Sequence, residues 1–469
     1  MKHKTLTKAE RRMQGKALRE KRPRSTHAEW NPRQRSQDII NLLEESNADR
    51  IPGLIAVRYG RMAQTPFTFF RGSAIVQARD LMISPVSGIT VQACGDCHVK
   101  NFGGFATPER NLVFDINDFD ETFPGPWEWD IKRLVVSIVL CARDRDFSKK
   151  DAEEAVRAAV ESYRKRMSEY ADMKLLEVWY SKITFDDLKD FFRGSMELLG
   201  RKKLLEGVER EEKEANTKTS EAIFPKITTV EGGTRRIVNN PPYIFHFKEN
   251  LSELEKTTRK FMKHYANTLQ ADRRQILNQY SHADIAVKVV GIGSVGTRCM
   301  ILLLLADEDD PIFLQIKEAR RSVLEPPGAR SRYKNQGQRV AEGQRLMQAA
   351  SDIFLGWSRV PNGHDYYVRQ LRDMKVAPEP GTITQSALTG ISMISGWALA
   401  RAHAKASDGD APMIAGYLGS SDRFDDALVE YAESYADQVE LDFSAFKKAI
   451  SSGRIHTDIN ESGDLSFLL

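Results

Sequence analysis

Two segments of the chain carry polar residues in spacings that suggest catalysis. In the first, Asp96 lies in a tight loop, Asn101 follows five residues later, and three carboxylates, Asp115, Asp118 and Asp120, end the next predicted strand. Phosphoryl transfer from Mg-ATP needs one carboxylate to orient the attacking hydroxyl, and an amide with a second carboxylate to hold the metal. Asp and Asn also cap ordinary loops and turns, so this segment alone does not decide between the two roles.

The second segment is rich in glycine. Gly291, Gly293 and Gly296, with Ser294 between them, form a G-x-G-x-x-G pattern between two apolar runs. The same spacing serves dinucleotide-binding folds, in which a helix follows the glycines. Here a β-competent run, a polar turn and another strand follow instead. That order favours a phosphate-covering hairpin of the kinase type, with these four residues binding the nucleotide.

The third strand of this block ends in Lys317, where kinases carry the lysine that pairs with the nucleotide phosphates. The next predicted helix contains Glu342, which we expect to be the ion-pair partner of that lysine. The sequence therefore adds Lys317 and Glu342 to the catalytic candidates.

The first segment resembles the aminoglycoside phosphotransferase and choline kinase group. The resemblance rests on Gly95-Asp96-x-His98-x-x-Asn101, on the later Asp118-Phe119-Asp120, and on the run from Pro124 to Asp130. It implies that Asp96 is the catalytic base, that Asn101 and Asp118 bind Mg²⁺, and that Asp130 braces the catalytic loop. Cys94 stands where that group has histidine. The gap from Asn101 to Asp118 is longer than usual, so Asp115 and Asp120 stay alternative ligands.

A broader resemblance covers the chain from about Asn31 to Leu469. Its motifs are Arg58-Tyr59-Gly60-Arg61-Met62, Phe70-Arg71-Gly72, Gly95–Gly103, Gly343-Gln344-Arg345 and Ala398–Ala404. Together they resemble a bacterial family catalogued as domain of unknown function 2252, whose name implies no substrate. The arginines between Arg58 and Arg71 have two interpretations, contact with phosphates or an acidic substrate and attachment of an N-terminal segment to the body.

The order of the motifs is unusual for a kinase, because the catalytic loop near residue 96 precedes the glycine loop near residue 293. We therefore predict an α+β, two-lobed, protein-kinase-like fold that is circularly permuted and has a largely helical large lobe. The expected parts are a basic arm (1–36), a large-lobe part with the catalytic and metal loops (37–200), a helical connection (201–284), a small β-rich nucleotide-binding lobe (285–375) and C-terminal large-lobe helices (376–469).

Composition limits the remaining functions. The 469 residues are 41% hydrophobic and 29% charged, and the formal net charge is +4. The first 36 residues hold 12 Lys and Arg against 3 Asp and Glu, so the rest is mildly acidic. This arm is a weak candidate for nucleic-acid binding, and a solvated, partly helical tail is the simpler expectation.

The four cysteines are too few for a disulfide framework, and no apolar run reaches the length of a membrane span, so we expect a cytoplasmic protein. The C-x-x-C-H run from Cys94 to His98 matches haem-attachment spacing. It lacks the second ligand pair of a structural zinc site, which argues against a metal there.

The leading hypothesis is an ATP- and Mg²⁺-dependent phosphotransferase that acts on a hydroxyl acceptor, either a small molecule or a protein. An enzyme that transfers AMP is one alternative. A non-catalytic nucleotide-binding regulator, with a basic arm that engages nucleic acid, is another. The sequence does not identify the acceptor or the oligomeric state.

Overall fold

The structure is a computed structural model, and it describes residues 6–194, 200–241, 243–246, 251–289, 291–328, 331–361, 363–371, 374–377, 381 and 383–458. The strands are β1 (Thr90–Ala93), β2 (Phe102–Ala106), β3 (Leu112–Ile116), β4 (Phe123–Pro126), β5 (Thr228–Glu231), β6 (Thr234–Ile237), β7 (Ile244–Phe245), β8 (Ser281–Lys288), β9 (Cys299–Asp307), β10 (Asp310–Glu318), β11 (Gly356–Arg359) and β12 (Asp365–Gln370).

The α-helices are α1 (Lys8–Lys21), α2 (Ile39–Asn47), α3 (Ile55–Met62), α4 (Pro66–Gly72), α5 (Ala74–Leu81), α6 (Trp127–Asp144), α7 (Lys149–Asp172), α8 (Leu175–Tyr180), α9 (Phe185–Gly194), α10 (Arg201–Ala215), α11 (Ser220–Ile227), α12 (Leu251–Ala266), α13 (Ala271–Leu277), α14 (Gln336–Met347), α15 (Gln385–Lys405), α16 (Ala411–Leu418) and α17 (Arg423–Ser451).

The largest sheet has six strands in the order β11-β12-β10-β9-β8-β7, and all of its pairs are antiparallel. Its central strands β9 and β10 are apolar on both faces because both are covered. Residues of α12 pack on one face and residues of α11 on the other. The register places Lys317 opposite Cys299 on β9 and Tyr367 on β12, so the lysine is held in the middle of the sheet.

Two small antiparallel pairs position the loops between residues 94 and 122. Strands β2 and β3 form a hairpin with the turn at residues 107–111, as the β-like runs on either side of Pro108–Asn111 predict, and β1 pairs with β4. Backbone hydrogen bonds run between Gly104 and Val376 in both directions at 2.9 Å. This bridge connects the hairpin to the segment that follows the large sheet.

The helical part is built around α6, which is buried from Trp127 to Ala142 and packs against α7 and α17. Helix α15 lies along α7. The contact is close because Gly396 faces the backbone of Ala159, where a Cβ would lie 2.1 Å from the carbonyl oxygen. None of the helices in the described part of the chain combines the length and apolarity needed to cross a membrane.

The sequence pattern also predicts a turn between helices at residues 58–81 and mostly helix from Phe185 to Asn216, and the secondary structure differs from expectation in three places. The expected helical connection (201–284) contains strands β5, β6 and β7. Residues 58–81 form the three short helices α3, α4 and α5 instead of a turn between two helices. The predicted helical stretch from Phe185 to Asn216 contains two helices, α9 and α10, and residues 195–199 between them lie outside the described residues. Thr65 and Pro66 account for the start of α4, since Thr65 caps it and Pro66 occupies its first turn.

The N-terminal arm is not a solvated tail. Helix α1 begins with a capping box between Thr7 and Glu10 and packs against α16. Gly15 permits the close approach, because a Cβ there would lie 1.9 Å from the carbonyl oxygen of Met413. Several arginines of the arm bond to the body: Arg11 to Asp410, Arg12 to Asp172, Arg19 to Tyr417 O and Arg35 to Asp80 and Asp442. Much of the arm's charge therefore serves to attach it.

A buried carboxyl at the start of α6 gives the first testable prediction. Burial raises the pKa of Glu128 to about 7, against partial compensation from Ser87, whose N–H donates to Oε1 at 2.6 Å. Between the unfolded pKa and pH 7 the folded state keeps a proton that the unfolded state releases, so stability falls as pH rises through this window. The free energy of unfolding falls by about 3 kcal/mol over this pH range.

We expect Glu128→Gln to remove this pH dependence. Urea unfolding at pH 5 and pH 8 checks it, with Glu430→Gln on the exposed side of α17 as the matched control. Equal slopes of stability against pH in wild type and Glu128→Gln would show that Glu128 does not carry the effect.

Candidate functional site

One cavity of about 600 Å³ brings together most of the predicted site residues. It is lined by Asp96, Asn101, Asp118, Asp120, Gly291, Gly293, Ser294 and Lys317, among others. The first four come from the loops beside the small hairpins, the next three from the segment between β8 and β9, and Lys317 from strand β10. Residues about 200 positions apart in sequence therefore face the same space.

Lys317 lies at the centre of the site and is 3% exposed. Its Nζ is 2.7 Å from Oδ2 of Asp120 and 3.8 Å from Oδ1 of Asp118. Asp120 also accepts a hydrogen bond from the hydroxyl of Tyr367 at 2.5 Å. One lysine thus faces two carboxylates. Asp120 is hydrogen-bonded to Lys317 and Tyr367, whereas Asp118 lies beyond hydrogen-bond distance of the lysine.

The electrostatics follow this asymmetry. Burial opposes the charge of Lys317, yet Asp118 and Asp120 raise its pKa well above the usual value. Burial would raise the pKa of Asp120, but the charge and hydrogen bond of Lys317 lower it to about 2. The pKa of Asp118 is raised by burial and by the charge of Asp120. The charges of Lys317, Arg369 and Lys375 lower the pKa of Asp118 only in part, so its carboxylate is less stabilised than that of Asp120.

The catalytic-loop candidate Asp96 is held by α6. Arg133 donates from Nε to Oδ1 of Asp96 at 2.8 Å, and its NH2 lies 2.7 Å from the same oxygen. The other carboxylate oxygen, Oδ2, is 3.7 Å from Nε2 of His98, beyond hydrogen-bond distance. The amide of Asn101 donates to the backbone carbonyl of Asp96 at 2.6 Å, which fixes Asn101 on the cavity wall.

Asp130 braces this loop in the way that the resemblance implied. Its carboxylate accepts hydrogen bonds from the backbone N–H groups of Cys94 at 2.7 Å and Gly95 at 2.9 Å, and it lies 3.1 Å from Nε2 of His403. His403 is fully buried and also contacts the hydroxyl of Tyr163 at 2.9 Å. The loop conformation thus depends on one buried carboxylate.

Gly95 is required by the same packing. Its φ is +94°, and a Cβ there would lie 2.4 Å from the carbonyl oxygen of Glu121. Because a side chain would collide with backbone, only glycine allows the loop of Asp96 to approach the loop of Asp118 and Asp120 so closely.

The brace gives a second testable prediction. Each of the two backbone N–H groups donates to a different oxygen of Asp130. Asp130→Asn replaces one of these oxygens by an NH₂ group, which cannot accept a hydrogen bond, so one backbone N–H loses its partner. We expect the free energy of unfolding to fall by about 2–4 kcal/mol. Urea unfolding measures it, and Asp426→Asn, an exposed carboxylate on α17 paired with Arg157 at 2.8 Å, should change stability by less than about 1 kcal/mol. Equal small losses in both variants would contradict the brace.

Two candidates lie apart from the cavity. Asp115, an alternative metal ligand, is fully buried and pairs with Arg401 at 2.8 Å. Glu342 does not pair with Lys317, because its carboxylate accepts from Arg345 one turn further along α14, at 3.1 Å. The carboxylate beside Lys317 is that of Asp120 and not that of the predicted partner Glu342.

The glycine segment joins β8 to β9, and Val290 within it lies outside the described residues. Gly296 does not line the cavity, but it turns the segment at φ +84° and accepts a hydrogen bond from Ile51 N–H at 2.7 Å. Ser294 Oγ lies 3.5 Å from Oδ2 of Asp120. Gly293 faces the carbonyl oxygen of Arg71. The glycine segment therefore contacts both the carboxylate loop and helix α4.

Sequence patterns did not reveal several residues that contact the site or line its cavity. Tyr367, Arg133, Arg50 and Arg320 belong to no catalytic motif, and they reach the site only through tertiary packing. The alternation of β12 could have indicated Tyr367, because it is the pairing partner of Lys317. For the three arginines, the chain offers no local signal.

The two cysteines of the C-x-x-C-H run are buried and reduced. The sulfur atoms of Cys94 and Cys97 and a carboxylate oxygen of Asp130 lie within 4.8 Å of one another. Burial raises the pKa of both thiols, to about 11 for Cys97. Asp130 already accepts the backbone hydrogen bonds described above, so this group serves the loop as packing and bracing.

Fold and site together define an α+β protein in which a glycine segment, a buried lysine and a set of carboxylates line one cavity. The chain belongs to the family of domain of unknown function 2252, described as an uncharacterised protein conserved in bacteria, whose model matches residues 50–449. Comparisons with curated proteins and with solved structures gave no significant match.

Proposed function

We propose that this protein is an ATP- and Mg²⁺-dependent phosphotransferase that acts on a hydroxyl acceptor. The observation that carries the proposal is the convergence of Lys317 with Asp118 and Asp120, beside the glycine segment and across the cavity from Asp96. Phosphoryl transfer depends on positioning and electrostatic stabilisation, and these are the groups that supply both.

We also propose that the fold is a circularly permuted kinase-like fold. Two features support it. A glycine segment joins β8 and β9, Lys317 lies on β10, and α14 precedes β11 and β12, which is the order of parts in a kinase small lobe. Near the ends of the chain, Asp458 N–H donates to Ala56 O at 2.9 Å, and such proximity favours permutation.

The site residues fit a divalent cation. The pKa of Asp118 stays raised despite the charges of Lys317, Arg369 and Lys375, and its side chain is 35% exposed. The Asn101 amide uses Nδ2 on the loop, and its Oδ1 has no hydrogen-bond donor among the described residues. Carboxylate and amide oxygens suit Mg²⁺. Asp118 and Asn101 would hold the ion, with Asp120 beside them, and the bound ion would neutralise phosphate charge.

Each protein group then has a defined task. Lys317 and the N–H groups of the glycine segment bind the phosphates. Arg133 fixes Oδ1 of Asp96, which leaves Oδ2 to accept a hydrogen bond from the acceptor hydroxyl and orient it for attack. Asp130 holds the loop that carries Asp96.

The test follows label from α-³²P- and γ-³²P-ATP into products formed with cell-extract metabolite fractions, in wild type and Asp118→Ala. We expect γ-label to enter product in wild type only. Transfer of α-label would instead establish AMP transfer. Binding of ATP without any transfer would favour a non-catalytic regulator. Such a regulator should also bind nucleic acid in a salt-sensitive way, and this binding should be lost when residues 1–36 are deleted.

A further inference from the structure

Three arginines converge on one wall of the same cavity. Arg50 and Arg320 both donate to the backbone carbonyl of Ser46, at 3.1 and 2.8 Å, and Arg58 donates to the Ser46 hydroxyl at 3.2 Å. All three side chains and Ser46 line the cavity. We call Arg50, Arg58 and Arg320 the arginine cluster.

The positive charge of this cluster is poorly neutralised. Among the described residues, no carboxylate lies within ion-pair distance of Arg50 or Arg58, and the carboxylate recorded for Arg320 is the exposed Asp49 at 3.7 Å. Burial and then the neighbouring Arg58 and Arg320 lower the pKa of Arg50. Burial also lowers the pKa of Arg58 to about 10, with Arg320 adding to the effect.

Structural hydrogen bonds account for only part of the cluster. Arg50 also donates to Val295 O at 2.5 Å, and Arg58 donates to Gly72 O and to Oδ1 of Asn47, each at 2.5 Å, so both tie neighbouring segments together. Neutral carbonyl acceptors do not cancel three positive charges. Arg58 is 1% exposed, and its Nε and that of Arg320 are buried without a hydrogen-bond partner among the described residues. The positive charge that these neutral acceptors leave uncancelled, on side chains that line the cavity, points to a missing anion.

A phosphate group fits this arrangement best. Guanidinium groups bind phosphate through paired N–H donors, and a dianion offers the charge and the several acceptor oxygens that three arginines need. The nucleotide's phosphates are already assigned to Lys317 and the glycine segment. A second anionic group in the same cavity therefore belongs to the other substrate.

We propose that the arginine cluster binds a phosphate group of the acceptor, so that the acceptor is a phosphorylated molecule carrying a free hydroxyl. This inference rests on the proposed function. It places the acceptor between the cluster and Asp96, with its phosphate on the arginines and its hydroxyl toward the carboxylate.

The experiment is calorimetric titration of inorganic phosphate into the full chain saturated with Mg²⁺ and a non-hydrolysable ATP analogue. We expect phosphate to bind alongside the nucleotide. We expect Arg320→Gln and Arg50→Gln each to weaken phosphate binding about tenfold or more, while both variants still bind the nucleotide analogue, which shows that they are folded. The matched control is Arg79→Gln, because Arg79 lines the same cavity but pairs with Glu45 at 2.8 Å.

Three results would overturn the inference in distinguishable ways. Competition between phosphate and the nucleotide analogue would assign the cluster to the nucleotide's own phosphates. Nucleotide binding with no phosphate binding in wild type, or with wild-type phosphate affinity in both cluster variants, would remove the subsite and leave the proposed function standing. Phosphate binding by a chain that binds no nucleotide would overturn the proposed function and the acceptor assignment together.

Discussion

Asp96→Asn will lower the rate of phosphoryl transfer by about 10²–10⁴-fold, the range typical of losing a general base. The amide oxygen still accepts from Arg133, so the side chain keeps its place, but it no longer draws the proton of the acceptor hydroxyl. Nucleotide binding should be unchanged, because the described polar partners of the Asp96 side chain lie outside the glycine segment and β10.

The measurement is the rate of γ-label transfer together with the affinity for Mg-ATP. Asp437→Asn, an exposed carboxylate on α17 that pairs with Arg143 at 2.8 Å, is the matched control and should keep the wild-type rate. Full transfer activity in Asp96→Asn would remove Asp96 from the chemistry, whatever its effect on stability.

The second large effect concerns the pair of Lys317 and Asp120. Lys317→Met leaves two carboxylates in a buried site without their cation, and we expect a loss of about 3–5 kcal/mol in the free energy of unfolding. Lys317→Met combined with Asp120→Asn removes both charges, so the double variant should be more stable than Lys317→Met alone. All variants that lack Lys317 should lose Mg-ATP binding.

A double-mutant cycle by urea unfolding isolates the coupling between these two residues, which we expect to be about 1–3 kcal/mol. The pH dependence has a defined sign. Because the folded pKa of Asp120 is lowered to about 2, its contribution is complete above the unfolded pKa near 3.8 and disappears as pH falls through about 2. If the stability losses of the two single variants add up to that of the double variant, the contact at 2.7 Å between Lys317 and Asp120 contributes no coupling free energy.

The strands and loops of the site were predictable because their signals are local. Alternating and apolar runs located β2, β3, β9 and β10, and turn residues located the hairpin. Glycines with fixed spacing marked the segment between β8 and β9. These patterns depend on a few neighbouring residues, so the sequence alone carries them.

The partners across the site were not predictable in the same way. Glu342 follows Lys317 in the expected order, but α14 aligns it with Arg345 and places Arg339, which donates to the backbone carbonyls of Asp120 and Thr122, against the carboxylate loop. Asp115 precedes Asp118 by only three residues, yet Arg401 on α15 binds it in the core. Both outcomes depend on packing between distant helices.

The N-terminal arm shows the same limit. Its composition is that of a solvated basic tail, and nothing local indicates where it docks. Gly15 against Met413 and Arg19 against Tyr417 O hold it to α16. The composition of a segment reveals its charge, but it does not reveal the surface of the protein on which the segment packs.

The most direct test of a shared nucleotide site is thermal unfolding with and without Mg-ATP in wild type, Asp118→Ala and Lys317→Ala. These two residues come from distant parts of the chain and meet only in the folded protein. At a nucleotide concentration about 100 times the dissociation constant, binding stabilises the wild type by about 2.7 kcal/mol. We expect a rise in the unfolding temperature that requires Mg²⁺ and is lost in both variants. No Mg-dependent rise at millimolar nucleotide, or an equal rise in all three proteins, would contradict the assignment of this cavity as the site of phosphoryl transfer.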